Sequence, residues 1–205
     1  MYLNILSKEQ EELLPFLVQF NKKFIMVGGT AIALQIGHRK SIDFDLFCTK
    51  PINKAAIKKA VTDIDFSKQL LFEDGDGIHY IINGVKVTFF YYPFNITGVI
   101  NIDEYIKIPD LLTLGAMKFY ELGRRAKWKD YVDIYSLLVN NHITIPKVSA
   151  IALELFKEAY AEKLFRQQLA YFEDIDYTET VEWINTPTDP EVIKKALLKY
   201  SLQIN

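Results

Sequence analysis

The chain has 205 residues, of which 50% are hydrophobic and 14% are aromatic, and this composition excludes a disordered or fibrous protein. Its net charge of −2 excludes a strongly basic nucleic-acid binder, although five basic residues from Lys118 to Lys129 form a local positive patch. No apolar run approaches the roughly 20 residues of a membrane-spanning helix, and the acidic residues from Glu9 onward are not typical of a secretory signal. We therefore expect a cytoplasmic protein without a membrane partner.

The first half of the chain is predicted to alternate helices and strands. Ser7 followed by Gln10 has the pattern of a capping box at the start of a helix, and Gly37 is suited to end a later helix. The dipeptide Asn83-Gly84 is the strongest short-range signal of a hairpin, because both central positions of its turn need a positive φ. The predicted helices cover residues 7–20, 31–36 and 53–61, and the predicted strands cover residues 24–29, 41–47, 69–73, 78–82 and 85–92.

The pattern becomes helical near Pro109. Leu111, Leu114 and Lys118 recur at helical spacing, so they share one face of a helix. Helices are predicted over residues 110–122, 127–140 and 146–162, followed by two or three shorter ones. This grouping predicts an α+β fold. Residues 1–107 form a mixed β-sheet with flanking helices, and residues 108–205 form a helical region that packs on this core and completes its site.

The tripeptide Gly28-Gly29-Thr30 lies between a predicted strand and a predicted helix, and this arrangement suits phosphate. Glycines let the backbone approach a ligand closely, and the N-terminus of the following helix presents free N–H groups and a positive dipole end. A plain turn from strand to helix is the alternative explanation for this tripeptide taken alone.

Two aspartates follow on the next predicted strand. Residues two apart on a strand project to the same face, so the carboxylates of Asp43 and Asp45 stand side by side with Ser41, while Ile42 and Phe44 point into the core. Close carboxylates repel unless a cation compensates, and magnesium prefers oxygen ligands of this kind. The alternative is a solvent-exposed strand face, where aspartate is disfavoured by propensity.

Two segments of the sequence carry a family resemblance. Residues 26–47, MVGGTAIALQIGHRKSIDFDLF, resemble the glycine turn and Asp-x-Asp strand of polymerase-β-like nucleotidyltransferases, and more closely those of the AbiEii/AbiGii toxin family. Residues 116–138, AMKFYELGRRAKWKDYVDIYSLL, are similar to that family's later segment, a lysine followed by a Lys-Asp-x-x-Asp helix. The resemblance implies a nucleotidyltransferase-type sheet. It also implies transfer of a nucleoside monophosphate (NMP) from a nucleoside triphosphate (NTP) to an RNA, such as tRNA, or to a protein.

The same resemblance implies roles for individual residues and for partners. Gly28, Gly29 and Thr30 would hold the nucleotide triphosphate, and Asp43 and Asp45 would ligate magnesium, or manganese in its place. The chain would act as the toxin of a toxin–antitoxin or phage-defence pair, which implies a cognate antitoxin as a further partner.

Further candidates lie around these residues. The resemblance implies that Lys118 contacts phosphates or the base and that Asp130 is a late catalytic or positioning carboxylate. Arg39 is suited either to reach the triphosphate with its guanidinium or to brace the turn before the aspartate strand, and Ser41 is a nucleotide-binding candidate on the aspartate face. Asp133 is suited to pair with Lys129, four positions earlier, or with Arg125, and this pairing is the alternative to a role at the site.

One feature departs from the family pattern. Polymerase-like transferases usually carry a third carboxylate on a neighbouring strand, whereas residues 85–92 contain no acid and have Thr88 at or near that place. Either Asp130 supplies the missing function, or the site works with two carboxylates, because in-line transfer depends mainly on positioning and metal electrostatics. A nucleotide-binding or partner-binding protein that keeps the fold with weak or no catalysis is the alternative function.

Overall fold

The computed structural model describes residues 1–122 and 124–203. The chain divides into two compact units. The first consists of Met1–Ile36 and Lys40–Asp110, and the second consists of Gly37–Arg39 together with the chain from Leu111 onward. The division after Asp110 falls three positions beyond the boundary that the sequence suggested, and the assignment of residues 37–39 to the second unit was not anticipated.

The first unit is built on one mixed β-sheet, which has seven strands within the described residues. The strands are β1 (Ile25–Val27), β2 (Asp43–Cys48), β3 (Lys68–Glu73), β4 (Gly77–Ile82), β5 (Val85–Tyr91), β6 (Ile100–Ile102) and β7 (Ile106–Ile108). Their order across the sheet is β3-β4-β5-β2-β1-β7-β6. The β2–β5 and β1–β7 pairs are parallel and the other pairs are antiparallel, so the aspartate strand lies near the middle of the sheet.

Three α-helices belong to this unit, namely α1 (Lys8–Leu17), α2 (Gly28–Ile36) and α3 (Lys54–Thr62). The capping box predicted for α1 is confirmed, because the Ser7 hydroxyl accepts from the Gln10 backbone N–H while the Gln10 side chain accepts from the Ser7 backbone N–H. The helix ends earlier than predicted, and a 3-10 turn over Val18–Phe20 continues the chain. Helix α2 starts at Gly28 itself, which puts the first turn of the helix at the glycines.

The two faces of the sheet differ as the alternation of β2 predicted. Phe44 and Leu46 are fully buried, and so are Val87 and Phe89 of the neighbouring β5. The prediction that Ile42 also points into the core is wrong, because its side chain is 66% exposed. Strand β2 begins to pair with its neighbours only at Asp43, so no adjacent strand directs the preceding residue inward.

The second unit is helical in its described part. It contains α4 (Leu111–Leu122), α5 (Trp128–Val139), α6 (Ile145–Phe156), α7 (Glu162–Leu169) and α8 (Pro190–Ser201). The single long helix predicted over residues 146–162 is wrong. Lys157, at the end of α6, has a φ of 50°, a backbone conformation that an α-helix does not allow, and a 3-10 turn follows. No helix among the described residues is long and apolar enough to span a bilayer.

A mixed sheet followed by helices confirms the predicted α+β class. The sequence reasoning missed β6 and β7, because strands of three residues are too short to show a period. The hairpin between β4 and β5 forms at the predicted dipeptide, where Asn83 has a φ of 52° and Gly84 a φ of 78°.

The hairpin turn gives a test of the fold. A side chain in the left-handed region costs roughly 1–2 kcal/mol, so we expect Gly84→Ala to lower the free energy of unfolding by about that amount. Gly75→Ala is the matched control, because a Cβ there meets no atom within 4 Å. Urea denaturation would measure both variants, and equal stabilities would contradict the assigned turn.

Candidate active site

The start of α2 and the middle of β2 lie against each other in the first unit. Val27, the last residue of β1, pairs with Asp45 of β2, and the next residue, Gly28, has a φ of 76°. A Cβ atom at Gly28 would lie 2.6 Å from Oδ2 of Asp45. Only glycine therefore fits here, and its missing side chain lets the first turn of α2 approach the Asp45 carboxylate.

Asp43 and Asp45 occupy the half-buried face of β2, opposite the core residues. Their carboxylate oxygens are the type of ligand that a hard divalent cation such as magnesium prefers. The described residues contain no cluster of three or more histidine, cysteine or acidic side chains that could enclose a metal ion. A cation held here would therefore take its remaining ligands from substrate oxygens and water, as magnesium commonly does.

Two buried side chains donate hydrogen bonds to the backbone of the segment that carries these aspartates. Thr30 is 1% exposed, and its hydroxyl donates to the backbone carbonyl of Asp43 at 2.5 Å. The side-chain amide of Gln10 donates to the backbone carbonyl of Ser41 at 2.9 Å. The observed contact of Thr30 thus links α2 to β2 and positions the site from within the core.

A second cluster of charged residues lies in the second unit. The carboxylate of Asp133 accepts from the guanidinium of Arg39 at 2.7 and 2.9 Å and from Nε2 of His38 at 2.7 Å, and it lies 2.8 Å from Nζ of Lys118. Asp133 is fully buried, and its three partners are at most 8% exposed. The sequence suggested Lys129 or Arg125 as the partner of Asp133, whereas the observed partners are Arg39, His38 and Lys118. Lys129 pairs with Glu179, and Arg125 pairs with Glu121 and Asp130.

Asp130 completes this cluster. It is fully buried and accepts from Lys118 at 2.5 Å and from Arg125 at 3.0 Å. Among the described contacts, the negative charges of Asp130 and Asp133 are thus balanced by the buried cations Lys118 and Arg39. The half-exposed Arg125 lies at the edge of the cluster.

The ionisation of the cluster follows from these contacts. Burial raises the pKa of Asp133, but Arg39 and Lys118 outweigh burial and hold that pKa well below its usual range. Burial lowers the pKa of Lys118, and Asp130 and Asp133 outweigh it, so the pKa of Lys118 is raised. Burial lowers the pKa of His38 overall, which favours the neutral imidazole at neutral pH.

The local positive patch noted in the sequence is largely neutralised by its neighbours. Lys127 and Lys129 both pair with Glu179, and Arg124 donates to backbone carbonyls of Tyr120 and Ala159. This segment therefore behaves mainly as an internally paired surface.

The structure distributes the predicted site residues over both units. Gly28, Gly29, Thr30, Ser41, Asp43 and Asp45 belong to the first unit, and Arg39, Lys118 and Asp130 belong to the second. Within the first unit the turn and the aspartates come together, and within the second Lys118 and Asp130 are in direct contact. The sequence reasoning missed the bond between Arg39 and Asp133, because these residues stand 94 positions apart.

Comparison with known families concerns the predicted site residues of the first unit. The family model described as "Nucleotidyl transferase AbiEii toxin, Type IV TA system" matches residues 16–89. The sequence resemblance to the AbiEii family is thereby confirmed. An uncharacterised protein of Aquifex aeolicus, aq_aa25, is 28% identical over 178 residues, which are 82% of this chain and 84% of that protein.

Solved structures share the fold at low sequence identity. MenT4, a nucleotidyltransferase toxin of Mycobacterium tuberculosis, has a TM-score of 0.63 and 13% identity over 94% of this chain and 80% of its own. JHP933 of Helicobacter pylori has a TM-score of 0.53 and 15% identity over 96% and 91%. The antibiotic-resistance factor ANT(2'')-Ia has a TM-score of 0.51 and 12% identity over 72% and 92%. The nucleotidyltransferase-type fold is confirmed.

The buried cluster gives a second prediction. Asp133→Asn leaves Arg39 and Lys118 without their shared counter-ion, so we expect the free energy of unfolding at pH 7 to fall by roughly 3–5 kcal/mol. Because the pKa of Asp133 is lowered in the folded protein, its contribution is present above about pH 4 and is lost as the pH falls through the folded value. The stability difference between parent and variant should therefore be constant near neutral pH and shrink in acid.

Denaturant unfolding at several pH values would measure this difference. Asp174→Asn is the control, since Asp174 is an exposed aspartate of the same unit. A loss no larger than that of the control would show that the charge of Asp133 contributes nothing to stability.

Proposed function

We propose that this chain transfers an NMP from an NTP to an acceptor hydroxyl. The observation that carries the proposal is the approach of the Asp45 carboxylate to the space that a Gly28 side chain would fill. It brings the N-terminus of a helix, where free N–H groups attract phosphate, beside a carboxylate that can hold a divalent cation. The AbiEii match over residues 16–89 includes both elements.

In the proposed site, the backbone at Gly28, Gly29 and Thr30 binds the triphosphate, and Asp43 and Asp45 hold magnesium or manganese. The cation, when bound, supplies charge neutralisation for the triphosphate oxygens and the two carboxylates. The acceptor oxygen forms a bond to the α-phosphorus, the bond from that phosphorus to the bridging oxygen breaks, and pyrophosphate leaves with the electron pair.

Lys118 and Asp130 enter the proposed site through the family resemblance. A direct contact of Lys118 with phosphate requires breaking its bonds of 2.5 and 2.8 Å to two buried carboxylates. We therefore assign Lys118, Asp130 and Arg39 a positioning role, in which the buried cluster fixes the local structure of the second unit. Their substitution should then alter stability together with activity.

The description of the matching family supports a toxin role with a cognate antitoxin. We propose that the toxin acts in the cytoplasm. Among acceptors, we propose RNA, with tRNA as the first to test and proteins as the second. A nucleotide-binding protein of the same fold without catalysis is the second candidate function. It is favoured by Thr88, which is in register with Asp45 on β5, at or near the place where related transferases carry a third carboxylate as base toward the acceptor hydroxyl.

Transfer of label distinguishes the two functions. The protein is incubated with each α-phosphate-labelled NTP and magnesium, with total tRNA or cell-extract proteins as acceptor. We expect label on one acceptor class, loss of transfer in Asp43→Asn/Asp45→Asn, and a large reduction in Gly28→Ala, because the added Cβ displaces the Asp45 carboxylate. Gly75→Ala, which adds the same atom in open space, should transfer like the parent protein. Bound NTP without any transfer would favour the non-catalytic function.

A further inference from the structure

A histidine and a threonine extend the aspartate face of the sheet. Asp45 of β2 is in register with Thr88 of β5, and Thr88 is in register with His79 of β4. Residues in register on adjacent strands project to the same face, so the three side chains form a row across the central strands. The core residues on either side of them point the other way.

Two contacts hold the imidazole of His79 in this row, and a neighbouring glycine leaves room for it. Its Nδ1 lies 3.3 Å from the hydroxyl oxygen of Thr88. The ring of Phe72, on β3, stacks on it with the ring centroids 3.9 Å apart and the planes 20° from parallel. A Cβ atom at Gly77 would lie 3.0 Å from Nε2, so the absence of a side chain there leaves room for the far edge of the ring.

An acceptor hydroxyl must lose its proton as its oxygen attacks phosphorus. On the face shared with Asp45, Lys86 is a cation and cannot accept a proton, and the two aspartates are assigned to the metal. Thr88 can pass a proton on only if a base stands behind it. His79 is such a base, since a neutral imidazole has an unprotonated nitrogen.

We propose that Thr88 and His79 together take the proton of the acceptor hydroxyl, in the place of a third carboxylate. The inference rests on the proposed NMP transfer. As the acceptor oxygen bonds to the α-phosphorus, its proton passes to the oxygen of Thr88, and the proton of Thr88 passes to Nδ1 of His79. Pyrophosphate departs with the electron pair, and the imidazolium then returns its proton to water. Thr88 is the catalytic residue of the pair and His79 is the positioning residue behind it.

The surroundings of His79 favour the neutral form that this step requires. Burial lowers the pKa of His79, the carboxylate of Asp74 in the turn before β4 raises it, and Lys86 on β5 lowers it, with a net lowering. The stacked residue from β3 is the uncharged Phe72, and Glu73 of that strand pairs with Lys58. His79 is therefore neutral at neutral pH, and the transfer rate should fall as the pH drops through its lowered pKa.

The experiment compares transfer from α-phosphate-labelled NTP to total tRNA by the parent protein and by His79→Asn, between about pH 5 and 8. The Oδ1 atom of asparagine can still accept from Thr88 but cannot take its proton. We expect a loss on the order of 100-fold in rate, little change in NTP affinity, and disappearance of the acid limb of the pH profile. In a Thr88→Asp background, which supplies a base directly, His79→Asn should have no further effect.

The outcomes separate this inference from the function on which it rests. If the parent transfers label and His79→Asn does so within about twofold with the same acid limb, the Thr88–His79 pair is excluded and NMP transfer stands. An equal loss from His79→Asn in the parent and in the Thr88→Asp background would assign His79 a purely structural role. If the parent binds NTP and labels no acceptor, both proposals fail. Should His79→Asn not fold, absence of an acid limb in the parent protein itself would overturn the inference.

Discussion

The close approach of the Gly28 backbone to the Asp45 carboxylate is the contact on which the account of this protein depends. It requires three features at once: a residue with positive φ and no Cβ after β1, the antiparallel register of Val27 with Asp45, and an α-helix that begins at the glycine. The buried hydroxyl of Thr30 and the side-chain amide of Gln10 hold the backbone that enters β2. Both of these buried side chains thus act on main-chain atoms.

The buried ion cluster of the second unit compensates for the burial of two carboxylates. Removing Asp133 and Asp130 from water raises their free energy, and the buried cations Arg39 and Lys118 offset this penalty at hydrogen-bonding distance. Arg39 is well suited to this position, since its guanidinium donates to both oxygens of Asp133. The cluster joins residues 37–39, a short segment of the chain between α2 and β2, to α4 and α5.

Local signals in the sequence were sufficient for much of the fold. The capping box at Ser7, the Asn83-Gly84 turn and the alternation of Phe44 and Leu46 each depend on neighbours within a few residues, and each is confirmed. The same reasoning placed Gly28 and Asp45 together only through a resemblance, because the distance between them depends on how β1 pairs with β2.

What the sequence did not predict depends on long-range or single-residue geometry. The partners of Asp133 lie far away in the chain, and the exposure of Ile42 depends on where pairing of β2 begins. The row formed by His79, Thr88 and Asp45 requires the register of β2, β4 and β5, and both β4 and β5 follow β2 only after helix α3 and strand β3. The hydrophobic periodicity of a single segment does not reveal how distant strands pair.

The most direct test of the proposed metal site is the affinity for a non-hydrolysable NTP, measured by calorimetry with and without magnesium. If Asp43 and Asp45 hold a cation beside the first turn of α2, magnesium should strengthen nucleotide binding in the parent protein, because the cation offsets the repulsion between carboxylates and triphosphate. Asp43→Asn/Asp45→Asn should fold and bind the nucleotide with an affinity that magnesium does not change. Nucleotide affinity that is independent of magnesium in the parent protein would contradict the assignment of these aspartates as the metal site.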